Sequence, residues 1–305
     1  MNDNKIDVGF TLKDHKWKNV VSVASGTFGY AQEYSQLIDI NKLGAIFTKA
    51  LSPNPRFGNK TPRIAQTPSG MLNAIGLTNQ GVDDFITTKM DFIKTIKSAV
   101  YVNVAGSTSS DYIEVVEKLS EQEAIKGFEI NLSCPNVKSG CLSFGTNPIL
   151  VEEITKALRG ITNKALIIKL TPNVTDICEI AKAAEAGGAD AISCINTLLG
   201  MAINIEERMP YLANKTGGLS GAAIKPVGVA AVYKVSKAVT IPVIGMGGIS
   251  SGEDAIEYLL AGASAIEVGT ALFTNPNILL EIIDFIEMYM SRHNFNSIKE
   301  MHNLF

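Results

Sequence analysis

Thirteen residues, EINLSCPNVKSGC (129–141), place Asn131, Ser133 and Cys134 at the end of an apolar run, with Pro135 stopping it. A cysteine there is either a small packed hydrophobe or a reactive group at the mouth of a pocket. A free thiol titrates near ~8.5, so a modest shift makes it a usable base at neutral pH. The following loop carries Gly140 and Gly145, candidate hinges of a mobile cover. Other apolar runs end in polar residues too. Lys49, Asn103, Asn131, Lys169 and Asn196 each finish, or nearly finish, one. This strand-end set holds amides and lysines, with no carboxylate cluster and no histidine. It argues against a divalent-metal site and against a paired-carboxylate hydrolase. Amides donate and accept, which suits a flat heterocycle with alternating carbonyl and N–H groups.

Glycines supply a second signal. GMGGIS (245–250) and EVGTALF (267–273) each follow an apolar run and lead into a helix, and GGLSG (217–221) is a third glycine turn. Glycine lets backbone N–H groups approach an anion, and a helix N-terminus favours negative charge. A phosphate beside a polar ring site fits FMN, and equally a sugar phosphate.

The elements that must hold these residues are short and regular. Strand-like runs lie at 20–25, 45–49, 100–104, 128–132, 166–170, 191–196, 242–246 and 265–269. They are continuously apolar, as strands buried on both faces are. Amphipathic helical stretches alternate with them, for example 111–123, 147–160, 175–188, 224–238 and 251–263, several opening on Ser, Thr, Asp or Asn and ending near Gly. Eight such units predict an α/β fold, a (β/α)8 TIM barrel, with polar strand ends converging at its C-terminal mouth. No GxGxxG follows the first strand, which disfavours a doubly wound sheet. Segment 7–20 reads as a hairpin before the barrel. Insertions at 51–81, 132–147 and 197–222 all leave the C-terminal face. No linker divides the chain, so one domain is expected over 1–305.

Composition narrows the class. Of the 305 residues, 46% are hydrophobic and 19% charged, enough apolar material for a large core. The net charge of −3 and the scattered lysines and arginines offer no nucleic-acid or membrane surface. No run is long enough to span a bilayer, and MNDNKIDVGF is too polar for a signal peptide, so a cytoplasmic location is expected. Cys134, Cys141, Cys178 and Cys194 form no CxxC pair, so no zinc or iron–sulfur site is expected in this chain. Cys178 and Cys194 fall inside a helix and a strand and read as packed, and Cys141 as an incidental loop cysteine. His15, His293 and His302 sit near the ends, outside any motif.

The segment NLSCPN (131–136) resembles the active loop of class 1 dihydroorotate dehydrogenases. SGTFG (25–29), FTKA (47–50), MLNAIGLTNQGV (71–82), VNVAG (102–106), IIKLTPN (167–173), INT (195–197), GGLSG, GMGGI and EVGTA follow in the family's order along essentially the whole chain. A cysteine rather than a serine in the loop separates it from the membrane-associated class 2. SGTFG and NVKSG…FGTNP resemble type 1B, the NAD-linked form, more than the fumarate-linked type 1A. Thr78 and Gln80 depart from the Gln and Pro of the family's GL-x-N-x-G segment.

The resemblance implies an FMN-bearing catalytic subunit that oxidises dihydroorotate to orotate. Its partner would carry FAD and a [2Fe–2S] cluster, assembled on a homodimer core into a heterotetramer. It implies Cys134 as the base that takes the C5 proton while hydride leaves C6. It implies FMN contacts from Ser25, Lys49, Ala50, Asn103, Asn131, Lys169, Ile195, Gly221, Gly247, Gly248, Gly269 and Thr270. It implies substrate contacts from Lys49, Asn73, Ala74, Ile75, Gly76, Leu77, Asn131, Asn196 and Thr197. Asparagines would match the imide edge of a pyrimidine, Lys49 would oppose negative charge on substrate or flavin, and Lys169 would favour an anionic reduced flavin. An FMN barrel acting on another dihydropyrimidine, a flavin-free sugar-phosphate isomerase or lyase, and a non-catalytic subunit scaffold are the competing readings.

Overall fold

Apolar runs with no polar face cannot lie against water, and here each is covered inside and out. The computed structural model describes residues 6–133, 135–136, 142–302 and 304–305. Eight parallel strands close into a barrel. They are β1 (Val21–Val23), β2 (Ala45–Phe47), β3 (Ala99–Ala105), β4 (Ile125–Asn131), β5 (Ala165–Lys169), β6 (Ala191–Cys194), β7 (Val243–Met246) and β8 (Ala265–Val268). Closure is completed where Glu267 of β8 stands beside Ser22 of β1. Each of the eight expected runs overlaps one of these strands.

The largest shift in a strand's start is at β4. β4 starts at Ile125, ahead of the run at 128–132, because Lys126 and Gly127 interrupt the apolar pattern. Gly127 is there for space: a Cβ would stand 2.4 Å from the Ala165 carbonyl oxygen and 2.9 Å from the Tyr101 ring.

Helices cover the outside of the barrel, and local chemistry sets their starts. Thr108 and Asp111 form a reciprocal capping box at the head of Ser109–Ser120. Asn147 accepts from the N–H groups of Ile149 and Leu150, with Pro148 opening Pro148–Arg159. Asp176 and Ser251 cap Ile177–Ala186 and Gly252–Leu260. Cys178 lies on the first of these and Cys194 is fully buried on β6.

The expected hairpin pairs Phe10–Leu12 with His15–Trp17. Trp17 is fully buried, packs on Phe47 and Tyr101, and donates its Nε1–H to Tyr101 Oη at 2.9 Å. The hairpin turn carries Lys13, which pairs with Asp190 just before β6. The hairpin therefore covers the N-terminal mouth.

The C-terminal mouth is roofed by two insertions acting together. Ile64–Thr67 and Gly70–Asn73 from one pair with Thr216–Ser220 and Leu198–Met201 from the other in a four-stranded antiparallel sheet. In the insertion after β4, Pro135–Asn136 pairs with Leu142–Ser143. Among the described residues no helix is long and apolar enough to cross a membrane.

Candidate active site

At the C-terminal mouth the strand ends and the roof enclose a cavity of about 470 Å³. That volume lies within the range of small-molecule and cofactor sites. Every candidate site residue named from the sequence lines it except Cys134. Cys134 lies outside the described residues, as do Gly140 and Cys141. Its neighbours can be followed as far as Ser133.

The floor is a buried charge cluster. Lys169 Nζ donates to Ser25 Oγ at 3.1 Å and lies 3.3 and 3.4 Å from the two Glu129 carboxylate oxygens. A second carboxylate, Glu267, stands 3.8 Å from the same ammonium. Glu129 and Glu267 are shielded from solvent and Lys169 almost so. Glu129 also accepts from Asn103 Nδ2 and from Ser193 Oγ at 2.8 Å. Burial pushes the Glu129 carboxyl up. The Lys169 charge and the hydrogen bonds more than offset that and hold it below its ordinary value.

The absence of carboxylates among the strand ends therefore does not extend to the site. Two glutamates lie directly beneath those ends. Their signal was present in FEINL and AIEVG, where one glutamate interrupts an apolar, doubly buried strand. A charge in that position needs a partner.

The side wall is built of amides. Asn196 Nδ2 donates to Ser133 Oγ at 2.8 Å and to Asn131 Oδ1 at 3.3 Å, while its Oδ1 accepts from the Thr197 N–H at 2.7 Å. Asn131 Oδ1 also accepts from the Ser133 N–H, so the NH2 end of Asn131 is the one these contacts leave uncommitted. On the floor the Asn103 amide is turned with NH2 toward Glu129, and its buried Oδ1 has no partner among the described residues. Lys49 is half-buried beside Arg63. Burial first, and then the Arg63 charge, hold its ammonium below the ordinary lysine range.

Over this wall runs the Asn73–Leu77 segment, with Gly76 and Leu77 both at positive φ. Asn79 fixes its exit. Its amide donates to Ser52 Oγ and the Leu77 carbonyl, and accepts from the Gly81 N–H, each at 2.8 Å. Thr78 is held by Arg63 and by the Phe57 carbonyl. The two departures from the family pattern thus leave a well-anchored loop.

Opposite lies the glycine cradle. Gly221, Gly247 and Gly248 have φ of +92°, +120° and +74°. Tyr258 Oη donates to the Gly247 carbonyl at 2.6 Å, and the Asp254 carboxylate accepts from the N–H and Oγ of Ser250, each at 2.8 Å. Thr270 Oγ1 donates to Ser220 Oγ at 2.9 Å. EVGTALF (267–273) does lead into a helix, though not at once. A four-residue 3-10 turn, Thr270–Phe273, comes first, and the full helix is Ile278–His293.

A Cβ on Gly248 would lie 2.7 Å from the Lys225 nitrogen and 2.8 Å from the Gly221 carbonyl oxygen. Gly248→Ala is therefore expected to cost about 1–3 kcal/mol of stability, read by denaturant unfolding. An unchanged midpoint would show that the cradle relaxes freely.

The cavity fits a flat polar ring carrying a phosphate. It offers a carbonyl oxygen unpartnered among the described residues, a lysine on its floor, amides on one wall and a glycine cradle in which a Cβ on Gly221 or Gly248 would clash with backbone. Among the described residues no group of three or more His, Cys, Asp or Glu side chains could hold a metal ion.

Comparisons with known proteins agree with the geometry. The family model described as dihydroorotate dehydrogenase matches residues 8–290. The chain is 54% identical over 295 residues to the "Dihydroorotate dehydrogenase B (NAD(+)), catalytic subunit" of Alkaliphilus oremlandii (strain OhILAs), covering 97% of both chains. It is 50% identical over 295 residues, with the same coverage, to the protein of that name from Bacteroides thetaiotaomicron. Among solved structures, the fold resembles a DHODH from Eimeria tenella crystallised with ferulenol, with a TM-score of 0.80 at 21% identity, over 99% of this chain and 89% of the other. The chain belongs to the dihydroorotate dehydrogenase family.

Proposed function

We propose that this chain is the catalytic subunit of an NAD-linked dihydroorotate dehydrogenase, oxidising dihydroorotate to orotate in pyrimidine synthesis with FMN in the cavity. The observation that carries the reading is convergence: residues matched to the family from eight strands and two insertions line one cavity. The names of the half-identical relatives support the NAD-linked, two-subunit form.

In this reading Asn131, Asn196, Asn73 and Thr197 orient the dihydropyrimidine by its amide edge, and Lys49 opposes its carboxylate. The Cys134 thiolate takes the C5 proton and becomes a thiol. The C6–H bond breaks with its electron pair, and the C5–C6 double bond forms. FMN, when bound, supplies the acceptor for that electron pair. Lys169, on the floor of the cavity, would favour negative charge on the ring. The glycine cradle and Thr270 would hold the phosphate. The loop after β4 carries Cys134.

The electrons leave through a partner subunit bearing FAD and a [2Fe–2S] cluster, on a homodimer core within a heterotetramer in the cytoplasm. The isolated chain is expected to contain FMN, or to take it up, and to reduce NAD slowly. Adding the partner subunit is expected to restore fast NAD reduction. An absence of flavin that added FMN cannot restore, or fast NAD reduction by the chain alone, would overturn the proposal.

A further inference from the structure

Glu267 is the one charged-type side chain of the floor with no donor of its own. It is 1% exposed and lines the cavity. No described N–H or O–H group reaches either of its oxygens. Lys169, 3.8 Å away, is held closer by Glu129 and Ser25. The groups packed around Glu267 offer nothing better. They are the Glu129 carboxylate from β4, Lys169 from β5, the buried Cys194 thiol from β6, Met246 from β7 and Ser22 from β1. The Ser22 hydroxyl is spent on the Ile266 carbonyl at 2.7 Å.

An ionised carboxylate removed from water without a donor is far costlier than a neutral acid in the same place. Two carboxylates sharing one lysine cannot both ionise cheaply. From this geometry we infer that Glu267 is held as the neutral acid and acts as a positioning residue for charge, leaving Lys169 and Glu129 as a balanced pair. Burial, and then the Glu129 charge, push the Glu267 carboxyl well above its ordinary range, which Lys169 only partly opposes. The three groups then carry no net charge. With Glu267 ionised they would carry one negative charge beneath the cavity and repel negative charge arriving on a ring seated there. That last consequence rests on the FMN reading above; the proton on Glu267 does not.

The sign follows from linkage. A carboxyl that keeps its proton in the fold loses it on unfolding above about pH 4.3, so it weakens the fold as pH rises toward its folded pKa. The test is urea unfolding of the flavin-free wild type and of Glu267→Gln between about pH 5 and 8. The ratio of wild-type to variant unfolding constants is expected to rise about tenfold per pH unit. A flat or falling ratio would mean an ionised Glu267 and overturn the inference.

If Glu267→Gln fails to fold, infrared spectra of wild-type protein with 13C-labelled glutamate decide. A protonated-glutamate C=O stretch at neutral pH supports the inference, and its absence overturns it. With FMN bound, Glu267→Gln is expected to leave the flavin potential unshifted at neutral pH, because a neutral amide replaces a neutral acid. A raised potential would show that a negative charge had been removed. If no flavin binds, the functional reading fails while the unfolding experiment still reports on Glu267.

Discussion

Cys134→Ser is expected to slow reduction of bound flavin by dihydroorotate about 10²- to 10⁴-fold at neutral pH, the range for loss of a general base. The thiol of an ordinary cysteine titrates near ~8.5, while a serine hydroxyl is a far weaker acid and stays protonated at neutral pH. Wild-type reduction should therefore rise with pH and level off once the thiolate is formed. Reduction in the variant should go on rising into alkaline solution. Rapid anaerobic mixing, followed at the flavin band, gives both rates. FMN content should be unchanged, which separates lost chemistry from a damaged cavity. An equal rate in the two proteins would make Cys134 a loop residue with no catalytic role.

The second large effect is on the floor. Lys169→Met leaves the Glu129 carboxylate fully buried without its counter-charge. Breaking one side of a buried ion pair typically costs about 3–5 kcal/mol. The pH dependence identifies the cause. In the wild type, Glu129 is held below its ordinary pKa, so its contribution is present above about pH 4.3 and is lost as pH falls through the folded value. In the variant that contribution is gone. The deficit should be largest at neutral pH and shrink in acid, where Glu129 is protonated in the folded and unfolded chains of both proteins. Adding Glu129→Gln to Lys169→Met should recover much of the loss, since no charge is then stranded. Denaturant midpoints measured across the acid range check both statements. A small, pH-independent loss would mean that water or Ser25 and Ser193 alone can hold Glu129 ionised.

The barrel was readable in the chain because doubly buried strands are almost continuously apolar. LIIKL and PVIGM need covering on both sides, and a closed parallel barrel covers them. The cavity was readable in part for the same reason. Polar residues at the ends of such runs, Asn103 and Lys169 among them, have only the C-terminal mouth to go to. What stayed hidden depends on closure and long-range pairing. Glu129 and Glu267 are far apart in the chain, and only the barrel brings both to Lys169. The roof was hidden likewise, since Gly70–Asn73 and Thr216–Ser220 meet only after both insertions fold back over the mouth. Neither segment has the alternation that would announce a sheet: glycines take the places of side chains that would collide. At Gly217 a Cβ would lie 2.5 Å from the Asn73 carbonyl oxygen. The anchoring of the Asn73–Leu77 loop by Asn79 is equally invisible in sequence, because its partner Ser52 belongs to a separate turn.

The central claim is that this cavity brings dihydroorotate to a bound flavin. The most direct measurement is to mix the FMN-loaded chain anaerobically with dihydroorotate and, separately, with dihydrouracil, which lacks the carboxylate that Lys49 is proposed to oppose. The account predicts rapid bleaching of the flavin band with dihydroorotate, formation of orotate in equal amount, and little response to dihydrouracil. Bleaching by dihydrouracil but not by dihydroorotate would contradict it.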